Sequence, residues 1–524
     1  MSDVDINPAA AVHRNACYEP DSVVIRYEGG DLTYGQLDDR AARLADVLSQ
    51  GGLAPGDRVA YLGLNSPAFL VTMLASWRLG AIFVPVNFRL AEAELRSALQ
   101  LSGSSVVVCE ENHRDVVNSV RGMLKLKRFL LVDDDPQVPA SANAVGWEAW
   151  SGPILRATPA THIAHQTSDQ PAIIMFTSGT TGLPKGVVLT HGNIWWNSVN
   201  VDTRLDTRRK DVTHAAAPIF HVGALNSFLI RVLVRGGTVV LRRSFDAEEF
   251  LSDLLVHRVN SFFAVPAMLA ALARVPGAFD AELKDLRAAV VAGAPVPPSL
   301  IAQFAKQGIL LQQAWGLTET APFATHLPVE KTIEKLGSAG IPMPHTEVRV
   351  VDVKTNEPVA AGTPGEVVVR GPNVTPGYWE DPAATEAAFD TAGWFHSGDI
   401  GYMDKDGYLY IVDRLKDMIV SGGENVYPAE VERALADLPG VTDVAVVGAE
   451  DDRWGETVVA VVSVAEGHEV TIDDLHAHAS TRLARYKFPR LLEIVDTVPR
   501  NASGKLDRPA VHRLLAERTN RLSR

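Results

Sequence analysis

Apolar positions recur along this chain in two alternating rhythms. In YGQLDDRAARLADVLSQGG, Leu37, Ala41, Leu44, Val47 and Leu48 fall on one face at helical spacing, and a glycine pair ends the run. DRVAYLG follows as a short apolar strand. SPAFLVTMLASWRLG opens with Ser-Pro and closes at Gly80, as a helix does, and AIFVPVN returns to strand. SSVVVCE, GTVVLRR, SFFAVP and LRAAVVAG continue the series. Alternation of this kind predicts a layered α/β fold, with sheets covered by helices.

From about Val348 the texture changes. EVRVVD, GEVVVRG and GYLYIVD are strand-like segments separated by Gly, Pro and Asn turns, which predicts a small β-rich subdomain. Beyond IVDRLKDMIVSGGENVYPAEVE comes an α+β pattern: a helix from about Pro428 to Leu438, strands VAVVGA and TVVAVVSV, and a helix from about Ile472 to Leu483. The last hundred or so residues therefore read as a domain of their own. A polar linker spans Ala157 to Gln170, and no repeat or low-complexity tract occurs.

Composition narrows the classes. The 524 residues are 46% hydrophobic and 21% charged, as in a soluble globular protein, with room for a large core. The net charge of −14 argues against a general binder of nucleic acid or anionic membrane, so a polyanionic ligand would need a local basic site. Two cysteines, Cys17 and Cys109, provide neither a disulfide framework nor a cysteine-based zinc site. No secretory signal or membrane-spanning run is evident, and a cytoplasmic location is expected. The triplets Asn373-Val374-Thr375 and Asn501-Ala502-Ser503 read as accidental in that setting.

The stretch TSGTTGLPKGVVLTHGN, Thr177 to Asn193, concentrates hydroxyls, glycines and Lys185. It is not a Walker loop, because Lys185 lies between Pro184 and Gly186 and the flanks AIIMF and GVVLT are both strand-like. It reads instead as a donor-rich strand-to-strand turn, suited to phosphate oxygens or merely polar. AWGLTET (Ala314 to Thr320) offers an aromatic face, a glycine, a hydroxyl and a carboxylate in sequence. GWFHSGDIG sets Asp399 among glycines, and PRNASGKLDR carries Lys505. Singly, each has a structural reading: a helix start, a tight turn, a solvated lysine.

In this order, TSGTTGLPKG, WGLTET, SGD, DRLKD and SGGENVYPAEVE resemble the adenylate-forming superfamily of acyl-CoA synthetases, peptide-synthetase adenylation domains and luciferases. The resemblance runs from about Thr33 to Arg508 and is most like bacterial fatty-acyl-CoA and hydroxycinnamoyl (feruloyl)-CoA ligases. It implies a large N-terminal domain, 1–415, of layered α/β subdomains plus a β-rich subdomain, and a small mobile α+β C-terminal domain, 416–524. It also implies activation of a carboxylic acid as acyl-AMP from ATP and Mg²⁺, then transfer to the thiol of CoA.

By this resemblance Thr177, Ser178, Gly179, Thr180, Thr181 and Lys185 would cradle the leaving pyrophosphate. Thr318 would bond the α-phosphate and Glu319 would hold Mg²⁺. Trp315, where most relatives have Tyr, would stack on adenine beside Gly316, with Gly293, Ala294 and Pro295 lining the base. Asp399 and Arg414 would bind the ribose. Lys505 would bridge substrate carboxylate and α-phosphate, Lys416 would be the hinge, and Gly423 would line the pantetheine tunnel. The basic segment RLARYKFPR would meet CoA phosphates or form a solvated helix end.

In APIFHVGAL, His221 matches a position near the acyl carboxylate, with Phe220, Val222, Gly223 and Leu225 around it. The absence of Lys or Arg there predicts an apolar pocket for a fatty or aryl acid. An acyl-AMP ligase that loads a carrier-protein phosphopantetheine is the close alternative. A catalytically silent nucleotide- or acyl-binding protein is the distant one. The sequence leaves the oligomeric state open, and only base rates favour a homodimer.

Overall fold

The computed structural model describes residues 4–28, 30–138, 145–178, 184–279, 282–294, 296–421, 424–451, 455–480, 482–501 and 506–522. The chain divides into two compact units: Met1–Val348 with Val369–Phe395, and Arg349–Val368 with His396–Arg524.

Two sheets organise the first unit. Seven described strands make one, in the order Glu148–Ala149, Arg128–Val132, Val106–Glu110, Arg58–Leu62, Ile82–Val86, Pro171–Ser178 and Pro184–Thr190. All neighbours are parallel except the last two, which form the antiparallel pair expected around the Gly/Thr-rich stretch. Parallel strands are covered on both faces, which is why Ile82–Val86 and Val106–Glu110 are buried throughout and read as continuous apolar runs. For the same reason Pro67–Arg78 is a helix with no solvent face: each of its residues is buried.

The second sheet has nine described strands, ordered Ile341–Pro342, Thr325–His326, Leu311–Trp315, Ala288–Val291, Ser261–Ala264, Val212–Ala215, Thr238–Leu241, Val23–Tyr27 and Gly30–Thr33. The six from Leu311–Trp315 to Val23–Tyr27 are parallel, and the edges are antiparallel. In open parallel sheets ligands sit beyond the carboxyl ends of the strands. Four neighbouring strands here end close in sequence to His221, Val265, Gly293 and Gly316. A buried ion pair ties the two sheets together: Arg243 Nη2 lies 2.7 Å from Glu110 Oε2, and Tyr61 donates to Glu110 Oε1 at 2.9 Å.

A four-stranded sheet, Glu347–Val351, Gly365–Arg370, Phe395–Met403 and Leu409–Arg414, corresponds to the β-rich subdomain read from the sequence. The rest of the second unit is α+β. Its sheet runs Glu424–Val426, Ile419–Ser421, Gly455–Val464, Val441–Asp451, with Leu491–Val495 parallel to Gly455–Val464. The helices are shorter than their apolar periodicity predicts, at Pro428–Leu435 and Ile472–Ala479. Leu438 and Leu483 still join the apolar cluster, but on turns rather than helix, so the pattern outruns the backbone. No described helix is long and apolar enough to cross a membrane.

Two buried histidines make the first unit sensitive to acid. Burial pushes His191 and His326 down to about 3, and neither ring nitrogen of His326 has a partner among the described residues. The unfolded chain protonates both near 6.5, so stability falls as pH drops below that value. By pH 5 the cost is about 2 kcal/mol per histidine. Urea unfolding at pH 7 and pH 5 should show this loss, and His326→Gln should remove its own share, about 2 kcal/mol.

Candidate active site

Three segments of the first unit meet around Lys185 and Glu319. Thr177, half-buried, is paired in register with Lys185 across the antiparallel hairpin. Ser178 ends its strand. Gly179, Thr180 and Thr181 lie outside the described residues, as do Pro295, Gly423 and Lys505. The second segment is the turn after the strand Leu311–Trp315. Here Thr318–Thr320 form a single 3-10 turn rather than the start of a helix.

That turn is tightly specified. Thr320 Oγ1 accepts from Leu317 N at 2.8 Å and donates to Pro322 O at 2.6 Å, and the Ala321–Pro322 peptide is cis. A Cβ at Gly316 would lie 1.8 Å from Pro322 O, so only glycine fits this approach. Asn226 donates to Ala321 O at 2.6 Å, and Asn373 donates to Thr320 O at 2.8 Å and Phe323 O at 3.1 Å. Both asparagines are buried. Buried Asn373 therefore serves as a clamp on the turn, in line with its triplet being accidental as a glycosylation signal. Asn226 and Asn373 escaped sequence reasoning because a clamp has no local pattern.

The third segment, Thr375–Trp379, lies along the strand Pro184–Thr190. Val188 N donates to Gly377 O at 3.1 Å, and Trp379 N donates to Gly186 O at 2.7 Å. From it Tyr378 donates to Glu319 Oε1 at 3.0 Å, while Lys185 Nζ sits 4.8 Å from the centre of the Tyr378 ring. The structure thus brings both Lys185 and Glu319 into contact with one tyrosine. A half-buried carboxylate held this way suits a hard cation. Among the described residues no three His, Cys, Asp or Glu side chains converge for a metal.

Around the second sheet's carboxyl ends, Trp315 is buried and Gly293 and Ala294 are exposed after the strand Ala288–Val291. Gly293 has φ +87°. His221 is exposed at the N-cap of a short turn, Val222–Ala224, that continues into a π-helical turn over Leu225–Leu229. Such turns recur at functional sites. Phe220, Val222 and Leu225 are buried, whereas Gly223 is half-exposed. Phe220 packs edge-on against Phe88, ring centres 5.3 Å apart, and 4.3 Å from the His221 ring. Gly223 lies directly beneath Phe263, since a Cβ there would be 2.6 Å from Phe263 Cζ. Arg231, on the same helical segment, is buried and paired with Asp202.

In the second unit, Asp399 and Arg414 are opposite one another across an antiparallel pair, with Arg414 Nε 2.6 Å from Asp399 Oδ1. Gly398, at φ +67°, lies within the strand beside Asp399, and its N–H donates to Glu366 Oε1 at 3.0 Å. Asp399 is itself buried. Lys416 sits in a 3-10 turn, Leu415–Asp417. The turn's neighbours are anchored by Arg508, which contacts Glu432 at 2.6 Å, Asp417 at 3.2 Å and Asp413 at 3.8 Å. Burial raises Asp413 to about 6 even though it accepts from Ala429 N and Arg414 N. In RLARYKFPR, Lys487 bonds Glu430 at 2.6 Å and Arg482 pairs with Asp437, so both cations are engaged within the unit.

Residues 12–379 match the AMP-binding enzyme family, and residues 430–505 match the AMP-binding enzyme C-terminal domain. The chain belongs to the AMP-binding enzyme family. It is 42% identical over 509 residues to a feruloyl-CoA synthase of Amycolatopsis sp, covering 95% of this chain and 97% of that one. A long-chain-fatty-acid–CoA ligase of Mycobacterium tuberculosis is 38% identical over 91% of each. Among solved structures, the o-succinylbenzoate CoA synthetase of Bacillus subtilis, in complex with its acyl-adenylate intermediate, superposes with a TM-score of 0.84. It is 31% identical, with 96% of this chain and 97% of that chain covered. That solved structure shares the fold read from the sequence.

Proposed function

We propose that this AMP-binding enzyme is an ATP-dependent acyl-CoA ligase acting on an aryl acid. The observation that carries the reaction class is the convergence of Lys185 and Glu319 on Tyr378 beside the Thr318 turn. Joining a carboxylate to a triphosphate brings two anions together, so the site must neutralise charge before a weak nucleophile can approach. Lys185 and the hydroxyls of Thr177 and Thr318 would hold phosphate oxygens. Bound Mg²⁺, held by Glu319, would neutralise charge on the same oxygens.

In the first step a carboxylate oxygen attacks the α-phosphorus, and the bond to the β-phosphate oxygen breaks to release pyrophosphate. Lys505, at the end of the C-terminal family match, would bridge the two reacting anions. In the second step the CoA thiolate attacks the acyl carbon, and AMP leaves with the carboxylate oxygen. Lys416 would be the hinge between the two states, dividing the chain at 415/416, and Gly423 would line the thiol's path. Asp399 and Arg414 would hold the ribose while Trp315, Gly293, Ala294 and Pro295 hold adenine.

The aryl preference rests on the wall around His221. Phe220, Phe88 and Phe263 supply aromatic faces, and Arg231 is occupied by Asp202, so a second carboxylate finds no cation on this helix. Pyrophosphate release should be compared across benzoic, aryl-propenoic and fatty acids, each with and without CoA. The highest kcat/KM is expected on an aryl acid, with faster turnover when CoA is present. A peak on long-chain fatty acids would overturn the aryl reading. Carboxylate-dependent release that stalls after one turnover despite CoA would move the acceptor to a carrier protein.

Phe263 sets the width of this wall. Phe263→Ala should shift kcat/KM towards bulkier acids by roughly tenfold, the value of one or two methylenes in an apolar pocket. Gly223→Ala, whose methyl would press on the same ring, should shift it towards smaller acids.

A further inference from the structure

Tyr378 belongs to none of the sequence segments that point to nucleotide chemistry, yet it joins two of them. Its phenol donates to Glu319 Oε1 at 3.0 Å and its ring faces Lys185 Nζ at 4.8 Å. The backbone carrying it is fixed from three sides. Tyr378 bridges to Val187 on the lysine strand, Tyr378 N donates to Thr385 Oγ1 at 2.9 Å, and Thr375 N donates to Glu319 O at 2.7 Å. Thr375 Oγ1 donates in turn to Val188 O at 2.6 Å. A Cβ at Gly377 would lie 2.4 Å from Thr385 Cγ2, so the chain passes too close there for any other residue.

We propose that Tyr378 is a positioning residue for the first half-reaction, aiming the Glu319 carboxylate at the cation and holding the Lys185 ammonium at the departing phosphates. This rests on the ligase reading above. One side chain engages both charges: its hydroxyl takes the carboxylate and its π-face takes the ammonium. Each charge is thereby held in place before the triphosphate arrives. Pre-set geometry of this kind spares the reorganisation otherwise needed when substrate binds.

The two functions of the ring can be separated. Tyr378→Phe removes the hydroxyl and keeps the π-face, whereas Tyr378→Leu removes both. Calorimetry with ATP alone, in chelator, reads the lysine. Calorimetry with ATP and Mg²⁺ reads the carboxylate as well. For Tyr378→Phe, affinity for ATP alone should be unchanged, while the affinity gained on adding Mg²⁺ should fall roughly tenfold. For Tyr378→Leu, affinity for ATP alone should also fall, by roughly three- to tenfold. Thioester formation from a preformed acyl-adenylate, which needs neither ATP nor the cation, should keep its parent rate in both variants.

A Tyr378→Phe protein with undiminished Mg²⁺-dependent ATP binding overturns the proposal. So does a lowered melting temperature accompanied by equal losses in both half-reactions, because that is the signature of a purely structural tyrosine. If the parent chain binds ATP but releases no pyrophosphate with any acid, the ligase reading fails. The calorimetric comparison still decides the role of Tyr378.

Discussion

Lys505→Ala is expected to slow acid-dependent pyrophosphate release roughly 100- to 1,000-fold, the usual consequence of removing one charge-stabilising donor from a polar transition state. Thioester formation from a preformed acyl-adenylate and CoA should stay near the parent rate. The asymmetry follows from the chemistry. Only the first step brings a carboxylate against a triphosphate, so only that step needs a cation placed between them. In the second step a thiolate meets a mixed anhydride, and a lysine in the same place would gain nothing and obstruct access. A long, flexible stem with a compact charge suits a group that must enter for one step and withdraw for the next. Equal loss in both half-reactions would show that Lys505 serves the nucleotide in general, and domain alternation would lose its main support. Rapid-quench measurement of each half-reaction with the same acid distinguishes the two outcomes.

Asp399→Asn is expected to behave differently, raising the KM for ATP by roughly 100-fold and weakening both half-reactions. A ribose diol bonded to a carboxylate makes two charge-assisted contacts, each worth roughly 1.5–3 kcal/mol. The nucleotide remains bound through both steps, first as ATP and then as the adenylate. Arg414 Nε lies 2.6 Å from Asp399 Oδ1, and the amide variant would turn part of this contact into opposition between donors. Arg414→Lys keeps the charge but loses the fixed fork, and should cost less. Binding of AMP alone, measured by calorimetry, checks the assignment without turnover. An Asp399→Asn protein with parent AMP affinity would remove the ribose from this pair.

Much of the architecture was legible in the sequence. Fully buried parallel strands announce themselves as apolar runs such as VAYL, AIFVPV and SSVVVCE, broken by glycine. The two strand-like flanks of the Gly/Thr-rich stretch correctly excluded a Walker loop, since a strand–turn–strand cannot point a helix N-terminus at phosphate. Helix ends were less legible: Leu438 and Leu483 carry the apolar rhythm past the last helical residue because burial, not backbone, sets that rhythm.

The site divides in the same way. Residues proposed to touch substrate, such as Lys185, Thr318, Glu319 and Asp399, stand out because they fall in short glycine-marked motifs. Those that aim them do not. Asn226 and Asn373 hold the Glu319 turn from positions 93 residues before it and 54 after it, and nothing local marks them. Tyr378, in PGYWEDP, reads as a turn aromatic until its distance to Glu319 is known. Phe263 likewise reads as a strand residue until Gly223 is found beneath it.

The central claim is that the acid is activated as an acyl-adenylate, and oxygen transfer tests it most directly. The chain would be given Mg²⁺, ATP, CoA and an aryl acid carrying ¹⁸O in its carboxylate, and the products analysed by mass spectrometry. One labelled oxygen should appear in AMP, with unlabelled pyrophosphate and one acyl-CoA per AMP. Label in inorganic phosphate together with ADP, or AMP formed without label, would contradict it.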